Sequence, residues 1–297
     1  MKIGTRGSQL ARWQAEWVRS RLGSAAEIVV IKTQGDAEVD RPLHELEGKG
    51  FFTKEIEDAL LDGRIDVAVH SLKDLPTRLP DGLALAAIPK RHDPRESLVG
   101  GGGPSIAALR PGTRVGTSSL RRIAQVRFMR PDLEVVPLRG NVPTRVRKVE
   151  NGEGLDAALL AIAGLERLEL GSKATVIDPF DVMPAPGQGA LGIEIRANDT
   201  ATRKALQPLH DPASAVDVAA ERSLLAALGG GCQAPVAAWV EMRETGNGKR
   251  LYGRVTERDG AVQLTASDVI DESRPEKAGE TVARLLEHQG AASLLAR

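Results

Sequence analysis

The stretch that decides the fold occurs twice, as KIGT at residues 2–5 and as RVGT at residues 114–117. Each copy has the composition of a short strand, and each leads through serine and arginine residues into a helical segment. A second pair, IDVA at residues 65–68 and LDAA at residues 155–158, follows in the same order. Because both pairs are collinear, the sequence predicts two similarly built α/β lobes.

Helical and extended patterns alternate through the first two-thirds of the chain. Residues 9–22 have the apolar spacing of an amphipathic helix, and a helix is also expected after the second copy. Each of these helices contains a glutamine, Gln14 in the first and Gln125 in the second. Residues 52–61 are predicted as helix and residues 65–70 as strand. This alternation is typical of a largely parallel sheet covered by helices.

The pattern changes near residue 213. A predicted helix at residues 215–228 leads to the run GGGCQAP, two or three predicted strands follow, and an amphipathic helix at residues 276–288 closes the chain. The predicted fold class is therefore α/β, with two lobes and a smaller α+β C-terminal domain. The domain bounds expected are 1–90 with 190–208 for the first lobe, 95–188 for the second, and 213–297 for the third.

The composition argues against several classes of function. Forty basic and forty acidic residues cancel, so no global charge points to nucleic acid or to an anionic membrane. Aromatic residues make up 3% of the chain, too few for a base-stacking platform. No apolar run approaches the roughly 20 residues of a bilayer span, and the N-terminal segment lacks the apolar core of a signal peptide. We therefore expect a cytoplasmic protein, and no residue spacing suggests a metal site.

Arginines concentrate where the predicted strands end. In GTSSLRR, residues 116–122, a strand leads into a helix start, where free N–H groups and the helix dipole attract anions. The alternative is that Ser118 caps the helix beside two solvated arginines. In parallel sheets, ligands bind beyond the carboxyl ends of strands. Arginine suits carboxylates and phosphates, so arginines at such ends predict a cleft for a polyanion. The six are Arg6, Arg121, Arg122, Arg139, Arg145 and Arg167.

The run HSLKDLP at residues 70–76 follows another predicted strand and combines a base, a hydroxyl, a cation and a carboxylate. In one interpretation His70 is structural and Asp74 shapes the turn before the proline. In the other, Asp74 stabilises a developing cation or moves a proton. Lys73 would then add a positive charge for an acidic substrate.

The chain has a single cysteine, Cys232, within a glycine-rich run. One thiol cannot form an internal disulfide, and it cannot build a thiolate metal site alone. A lone cysteine is commonly a small buried apolar residue. The neighbouring glycines instead favour a bend that presents an accessible nucleophile or a covalent attachment point.

Seven motifs, in collinear order from Arg6 to Pro235, resemble those of the hydroxymethylbilane synthase (porphobilinogen deaminase) family. They are TRGSQLA at 5–11, GKGFFTKE at 48–55, HSLKDLP at 70–76, GTSSLRR at 116–122, LRGNV at 138–142, PGQG at 186–189 and GGCQAP at 230–235. The resemblance implies two lobes like those of periplasmic binding proteins and a third domain that carries the cysteine.

The resemblance also implies a chemistry. Cys232 would hold a dipyrromethane cofactor through a thioether, and four porphobilinogen molecules would be added to it, each losing ammonia. Hydrolysis would then release linear hydroxymethylbilane. Because every pyrrole unit carries an acetate and a propionate, the growing chain is strongly anionic, which fits the clustered arginines. Asp74 matches the family's catalytic aspartate, whose charge would stabilise the cationic azafulvene that loss of ammonia leaves.

The matching motifs carry over further site residues. Those expected to bind the cofactor, besides Cys232, are Lys73, Asp74, Thr117, Ser119, Arg121, Arg122 and Gly189. Those expected to bind substrate are Arg6, Ser8, Arg139, Arg145, Arg167 and Gln188. The stretch up to Lys49 resembles the family's active-site loop, but its interior is acidic and less typical, so only Lys49 and Phe52 are carried over.

A different class of function explains part of the same pattern. A two-lobed receptor for an organic anion, with Cys232 inert, would account for the repeated lobes and the arginines. It would not account for Asp74 beside Lys73, for the third domain or for the thiol flanked by glycine. We therefore expect a monomeric enzyme that acts on a small molecule, porphobilinogen, and that has no nucleic-acid or membrane partner.

Overall fold

A computed structural model describes residues 1–23, 26–37, 53–230, 234–242 and 248–296. These residues form three sheets and divide into two compact units. The first unit comprises Met1–His92 and Gly189–Ala215, and the second comprises Asp93–Gln188 and Val216–Arg297. The predicted domain bounds stay a prediction, since the contacts separate two units rather than three.

The elements are numbered in chain order over the described residues. The strands are β1 (Lys2–Thr5), β2 (Glu27–Val30), β3 (Val67–Ser71), β4 (Leu83–Ala87), β5 (Glu96–Gly100), β6 (Arg114–Gly116), β7 (Glu134–Val136), β8 (Ala157–Ala161), β9 (Ala174–Val176), β10 (Leu191–Arg196), β11 (Val236–Met242), β12 (Lys249–Thr256) and β13 (Gln263–Val269). The helices are α1 (Gln9–Leu22), α2 (Gln34–Ala37), α3 (Lys54–Leu61), α4 (Leu120–Met129), α5 (Val142–Glu150), α6 (Ile162–Glu166), α7 (Thr200–Leu206), α8 (Pro212–Ala227), α9 (Pro275–His288) and α10 (Ala291–Leu295).

The two larger sheets follow one plan. Their strand orders are β2-β1-β3-β10-β4 in the first unit and β7-β6-β8-β5-β9 in the second. The KIGT and RVGT runs form β1 and β6, and each is the second strand of its sheet. The third strand, β3 in one sheet and β8 in the other, is in each case a parallel neighbour. The predicted repeat is therefore confirmed, and so is the fold class of two α/β lobes with a smaller α+β C-terminal domain.

One strand in each larger sheet runs against its neighbours. β10 is antiparallel to β3 and β4, and β5 is antiparallel to β8 and β9. The expectation of a largely parallel sheet therefore needs this correction. Both strands begin soon after the chain passes from one unit to the other, so they are not products of a local strand–helix–strand connection.

Burial explains why the first lobe folds around its repeat stretch. Ile3 of β1 is inaccessible to solvent and packs in one core with Val18 of α1 and Ile193 of β10. Helix α1 begins at Ser8, whose Oγ accepts a hydrogen bond of 3.2 Å from the backbone N–H of Ala11. Such a cap satisfies a donor that the helix itself leaves unpaired. Ser8, two positions after Arg6, thus fixes where α1 starts.

The third sheet is an antiparallel meander of β11, β12 and β13, covered by α8 and α9. The sequence RDG at residues 258–260 predicts a hairpin turn, and β12 and β13 do pair as antiparallel neighbours on either side of it. The apolar run at residues 157–163 predicts one strand, and this prediction was wrong at its end, because residues 162 and 163 belong to α6. A short, continuously apolar run does not distinguish a buried strand from a buried helix.

No helix in the described part of the chain is both long enough and apolar enough to cross a membrane.

Gly279→Ala is expected to destabilise the protein by about 1–3 kcal/mol. A Cβ at this position of α9 would lie 1.8 Å from Ser223 Oγ and 2.5 Å from the backbone oxygen of Ala220, both on α8. The two helices would have to separate, because backbone atoms cannot move aside as a flexible side chain can. Urea denaturation measures the loss, with Glu280→Ala on the exposed face of the same helix as control. Equal stability of the two variants would contradict the close approach.

Candidate functional site

One cavity of about 80 Å³ in the first unit is lined by three of the residues that the sequence singled out, Arg6, Ser8 and Asp74. Arg6 follows β1, and Asp74 ends a short 3₁₀ turn, Leu72–Asp74, directly after β3. β1 and β3 are parallel neighbours, so their carboxyl ends meet at one edge of the sheet. The topology thus brings a cation, a hydroxyl and a carboxylate together.

Other residues of the cavity wall are not among the site residues that the sequence predicted. Gln14 of α1 donates a hydrogen bond of 2.9 Å from Nε2 to Ser71 Oγ, and both residues line the cavity with His70 and Thr53. Gln14 therefore ties α1 to the end of β3, just before the turn that carries Asp74. The one signal in the sequence was the glutamine shared by the two repeat copies.

A buried cluster of ionisable groups includes His70 of the cavity wall. His70 Nε2 is 3.1 Å from Glu194 Oε2 on β10, and both side chains are almost inaccessible to solvent. Burial, with the charge of Glu194 in second place, raises the pKa of the Glu57 carboxyl on α3 above its ordinary value. Two carboxylates thus lie close to one histidine, which makes this side of the site rich in buried acid.

Glu57→Gln is expected to raise the thermal unfolding midpoint, with a gain that grows with pH. Above pH 4.5, the ordinary value for this carboxyl, the unfolded chain releases the proton of Glu57 while the folded protein retains it. Stability therefore falls as the pH rises from there through the raised pKa of Glu57, and an amide escapes that loss.

Thermal unfolding measured from about pH 4.5 to about pH 8 tests this dependence. Glu27→Gln, at an exposed position of β2, is the matched control. A gain that stays constant across the range would show that Glu57 is not held in its protonated form by the fold.

In the second unit, the hydroxyls after β6 bind the backbone of their surroundings. Ser118 Oγ donates to the backbone oxygen of Leu138 and accepts from the N–H of the same residue, both at 3.0 Å. Ser119 is the N-cap residue of α4 and makes no side-chain capping bond, and Thr117 Oγ1 accepts from its N–H at 3.3 Å. The alternative in which Ser118 caps the helix is therefore wrong. Its hydroxyl instead connects the ends of β6 and β7.

Arg121 and Arg122 share one buried carboxylate, which the sequence did not indicate. Arg121 Nη2 is 2.6 Å from Glu96 Oε1, and Arg122 Nη2 is 2.7 Å from Glu96 Oε2. Each guanidinium also donates through Nη1 to a backbone oxygen, Arg121 to Met183 and Arg122 to Leu159. Both arginines are therefore buried, and the alternative of two solvated arginines at the start of α4 is wrong.

The charges in this cluster do not balance. Two guanidinium groups and one carboxylate carry a net charge of +1, and all three side chains are at least nine-tenths buried. Burial, opposed by Glu96 and reinforced by Arg122, lowers the pKa of Arg121. Arg122 Nε has no hydrogen-bond partner among the described residues. An anion at this place would be electrostatically favoured.

Three further arginines follow parallel strands of the second sheet. Arg139 follows β7 and is half-buried, and Arg145 on α5 donates from Nε to the backbone oxygen of Gly140 at 2.7 Å. Arg167 follows α6 and is 5% exposed. Burial lowers the pKa of its guanidinium to about 10, with Glu166 acting in the opposite direction. An anionic ligand would favour the charged form of this arginine.

The remaining residues of the expected site have local roles. Gln188 is fully buried and donates from Nε2 to the backbone oxygen of Pro94 at 2.8 Å. Gly189 has a φ of +84°, a conformation that favours glycine, and its carbonyl accepts from His92 N–H at 3.3 Å. Lys73 is half-buried in the turn before Asp74 and is not part of the cavity wall described above. Cys232, Lys49 and Phe52 lie outside the described residues.

Comparison with known proteins adds an independent finding. The family model described as "Porphobilinogen deaminase, dipyromethane cofactor binding domain" matches residues 1–204, and "Porphobilinogen deaminase, C-terminal domain" matches residues 215–288. The porphobilinogen deaminases of Syntrophotalea carbinolica and Moorella thermoacetica are 48% and 47% identical to this chain. Those alignments cover 100% and 99% of the chain and 95% of each relative. Among solved structures, the methionine binding protein MetQ matches with a TM-score of 0.43 at 15% identity, over 70% of this chain and 88% of that chain, which is too distant to indicate a ligand.

Proposed function

The chain belongs to the porphobilinogen deaminase family, and on that premise we propose that Asp74 is its catalytic carboxylate and Cys232 the covalent attachment point of its cofactor. The reaction is that of a hydroxymethylbilane synthase, a transferase of tetrapyrrole biosynthesis. It joins four porphobilinogen molecules head to tail on a dipyrromethane primer, and it releases ammonia and linear hydroxymethylbilane. The cavity that Asp74 shares with Arg6 and Ser8 is the observation that supports this assignment most directly.

The residues of the second unit fit a polyanionic cofactor. Each ring of a dipyrromethane carries an acetate and a propionate, whereas Arg121, Arg122 and Glu96 leave a net charge of +1 in a buried place. A buried charge without compensation is unfavourable, so a ligand carboxylate would stabilise the cluster. Arg122 Nε, which lacks a partner among the described residues, offers a donor for it.

When bound, the dipyrromethane supplies the carbon to which substrate units are added. Arg6 and Ser8 bind carboxylates of the incoming substrate. The Ser8 hydroxyl, which accepts from Ala11 N–H, can still donate its own proton to such a group. Asp74 lies at the same cavity, and its negative charge stabilises the positive charge that loss of ammonia leaves on the substrate.

The other residues of the expected site are assigned to the cofactor or to the substrate by the motifs that they match. To the cofactor we assign Lys73, Thr117, Ser119, Arg121, Arg122 and Gly189 beside Asp74 and Cys232. To the substrate and the growing chain we assign Arg139, Arg145, Arg167 and Gln188 beside Arg6 and Ser8. Lys49 and Phe52 we assign to the active-site loop.

The same proposal includes the organisation of the chain in the cell. Three domains, bounded at 1–90 with 190–208, 95–188 and 213–297, would act together as a cytoplasmic monomer. A balanced charge and a single cysteine support a protein of a reducing compartment that binds neither nucleic acid nor membrane.

Cys232→Ser is expected to abolish turnover and to leave the fold intact. A hydroxyl is a much poorer nucleophile than a thiol at neutral pH and would not take up the cofactor. Intact mass should show the addition of two pyrrole units on the parent protein and none on the variant. Because the chain has a single cysteine, peptide mapping can locate the addition without ambiguity. A parent that stays at bare protein mass after exposure to porphobilinogen would favour the receptor class instead.

Asp74→Asn is expected to lower kcat by about 100-fold or more while KM changes little. The amide keeps the size of the carboxylate and part of its hydrogen bonding, but it lacks the negative charge. Asp81→Asn, an exposed aspartate in the turn before β4, serves as the matched control. A kcat within a few-fold of the parent value would show that Asp74 only shapes the turn and does not take part in the reaction.

A further inference from the structure

The amide of Gln125 is the centre of a buried junction. It is 1% exposed, and its Oε1 accepts from the backbone N–H of Met183 at 2.9 Å. Its Nε2 donates to the carbonyl of the same residue at 3.1 Å. That carbonyl also accepts from Arg121 Nη1 at 2.6 Å. Gln125 and Arg121, one turn apart on α4, therefore bind the backbone N–H and C=O of one residue, Met183, in the segment between β9 and β10.

A second side chain reaches this junction from the C-terminal sheet. Arg254 on β12 donates from Nη1 to Gln125 Oε1 at 2.9 Å and is 5% exposed. A continuous hydrogen-bonded chain thus runs from Glu96 through Arg121, the Met183 carbonyl and Gln125 to Arg254. It links strand β5 of the lobe to strand β12 of the domain whose sequence contains Cys232.

A separate contact holds the same helix from its other end. Gly260 in the hairpin between β12 and β13 has a φ of +85°, and a Cβ there would lie 2.6 Å from the backbone nitrogen of Phe128. The neighbouring Arg258 carbonyl accepts from Arg127 Nη1 at 3.1 Å. The C-terminal sheet therefore contacts α4 at two places along its length.

We propose that Gln125 and Arg254 are positioning residues that hold the thiol-bearing C-terminal domain in register with Arg121, so that a group anchored on Cys232 meets the arginine cluster. The proposal rests on the proposed function, because it assigns Cys232 and Arg121 to opposite ends of one ligand. Neither Gln125 nor Arg254 touches that ligand in this account. They act by fixing the distance between its covalent anchor and its counter-charge.

The chemistry of the junction favours positioning over simple packing. A buried amide and a buried guanidinium are costly to desolvate, and well-packed apolar side chains often stabilise such an interface at least as well. Directional hydrogen bonds, in contrast, allow one relative placement of the two surfaces. Little solvent reaches this place, since Arg254 is 5% exposed, and its burial lowers the pKa of the guanidinium. Displacements of about 1 Å at a reacting group can reduce rates on the order of 100-fold.

The test uses the full-length apo-protein exposed to porphobilinogen, with intact mass followed over time. We expect Gln125→Leu to slow the appearance of the two-pyrrole addition by about tenfold or more. Gln125→Glu keeps acceptors for Met183 N–H and Arg254, so it should load much faster than the leucine variant. Val282→Ala, a core change in the same domain, controls for general loss of stability.

Thermal unfolding of each variant distinguishes a misplaced C-terminal domain from a general loss of stability. The proposal would be overturned if Gln125→Leu and Val282→Ala, with the same loss of stability, gained the two-pyrrole mass equally slowly. Failure of Gln125→Glu to load faster than Gln125→Leu would overturn it as well. A parent protein that gains no two-pyrrole mass would overturn the proposed function and this inference with it.

Should Gln125→Leu fail to fold, Gly260→Ala tests the placement of the C-terminal sheet against α4 from the hairpin between β12 and β13. Its methyl group would press on the backbone of α4 without touching Arg121 or Met183. We expect this variant to load several-fold more slowly than the parent. Parent-like loading, with the hairpin shown to be displaced by hydrogen exchange, would contradict the proposal.

Discussion

The second unit depends on one buried carboxylate. Glu96 is inaccessible to solvent and binds the guanidinium groups of two consecutive arginines. Without it, two like charges would face each other away from water, a situation that proteins tolerate poorly. Because the other donors of these arginines hold the carbonyls of Met183 and Leu159, Glu96 indirectly ties together β5, α4, β8 and the segment before β10.

The two lobes use one plan for different purposes. Gln14 on α1 and Gln125 on α4 occupy equivalent places after the repeat stretch. Gln14 binds Ser71 at the end of β3, next to the turn that carries Asp74. Gln125 binds Met183 and Arg254 and so joins the lobe to the C-terminal sheet. The duplicated scaffold thus positions a carboxylate in one unit and a pair of cations in the other.

The buried ionisable groups of the two units differ in kind. In the first, Glu57 and Glu194 lie near His70, which lines the same cavity as Asp74. In the second, two arginines share one carboxylate. The carboxylate of Asp74 suits a reaction that generates a cation when ammonia leaves, whereas an excess of guanidinium suits the carboxylates of a polypyrrole. A net charge of zero for the whole chain conceals this local separation.

The sequence by itself determined the repeat, the fold class and the positions of Arg6 and Asp74 after the carboxyl ends of strands. Strands and amphipathic helices leave local periodicities, and parallel strands place their ends at one edge of a sheet, so Arg6 and Asp74 could each be placed at a strand end from the sequence. The antiparallel strands β5 and β10, the Glu96 cluster and the Gln125 junction could not be read in this way. They join residues 25 to 129 positions apart, and the pairing of distant charged or amide groups leaves no local periodicity. Only the folded chain decides which buried carboxylate an arginine meets, because that choice depends on the burial and packing of several elements at once.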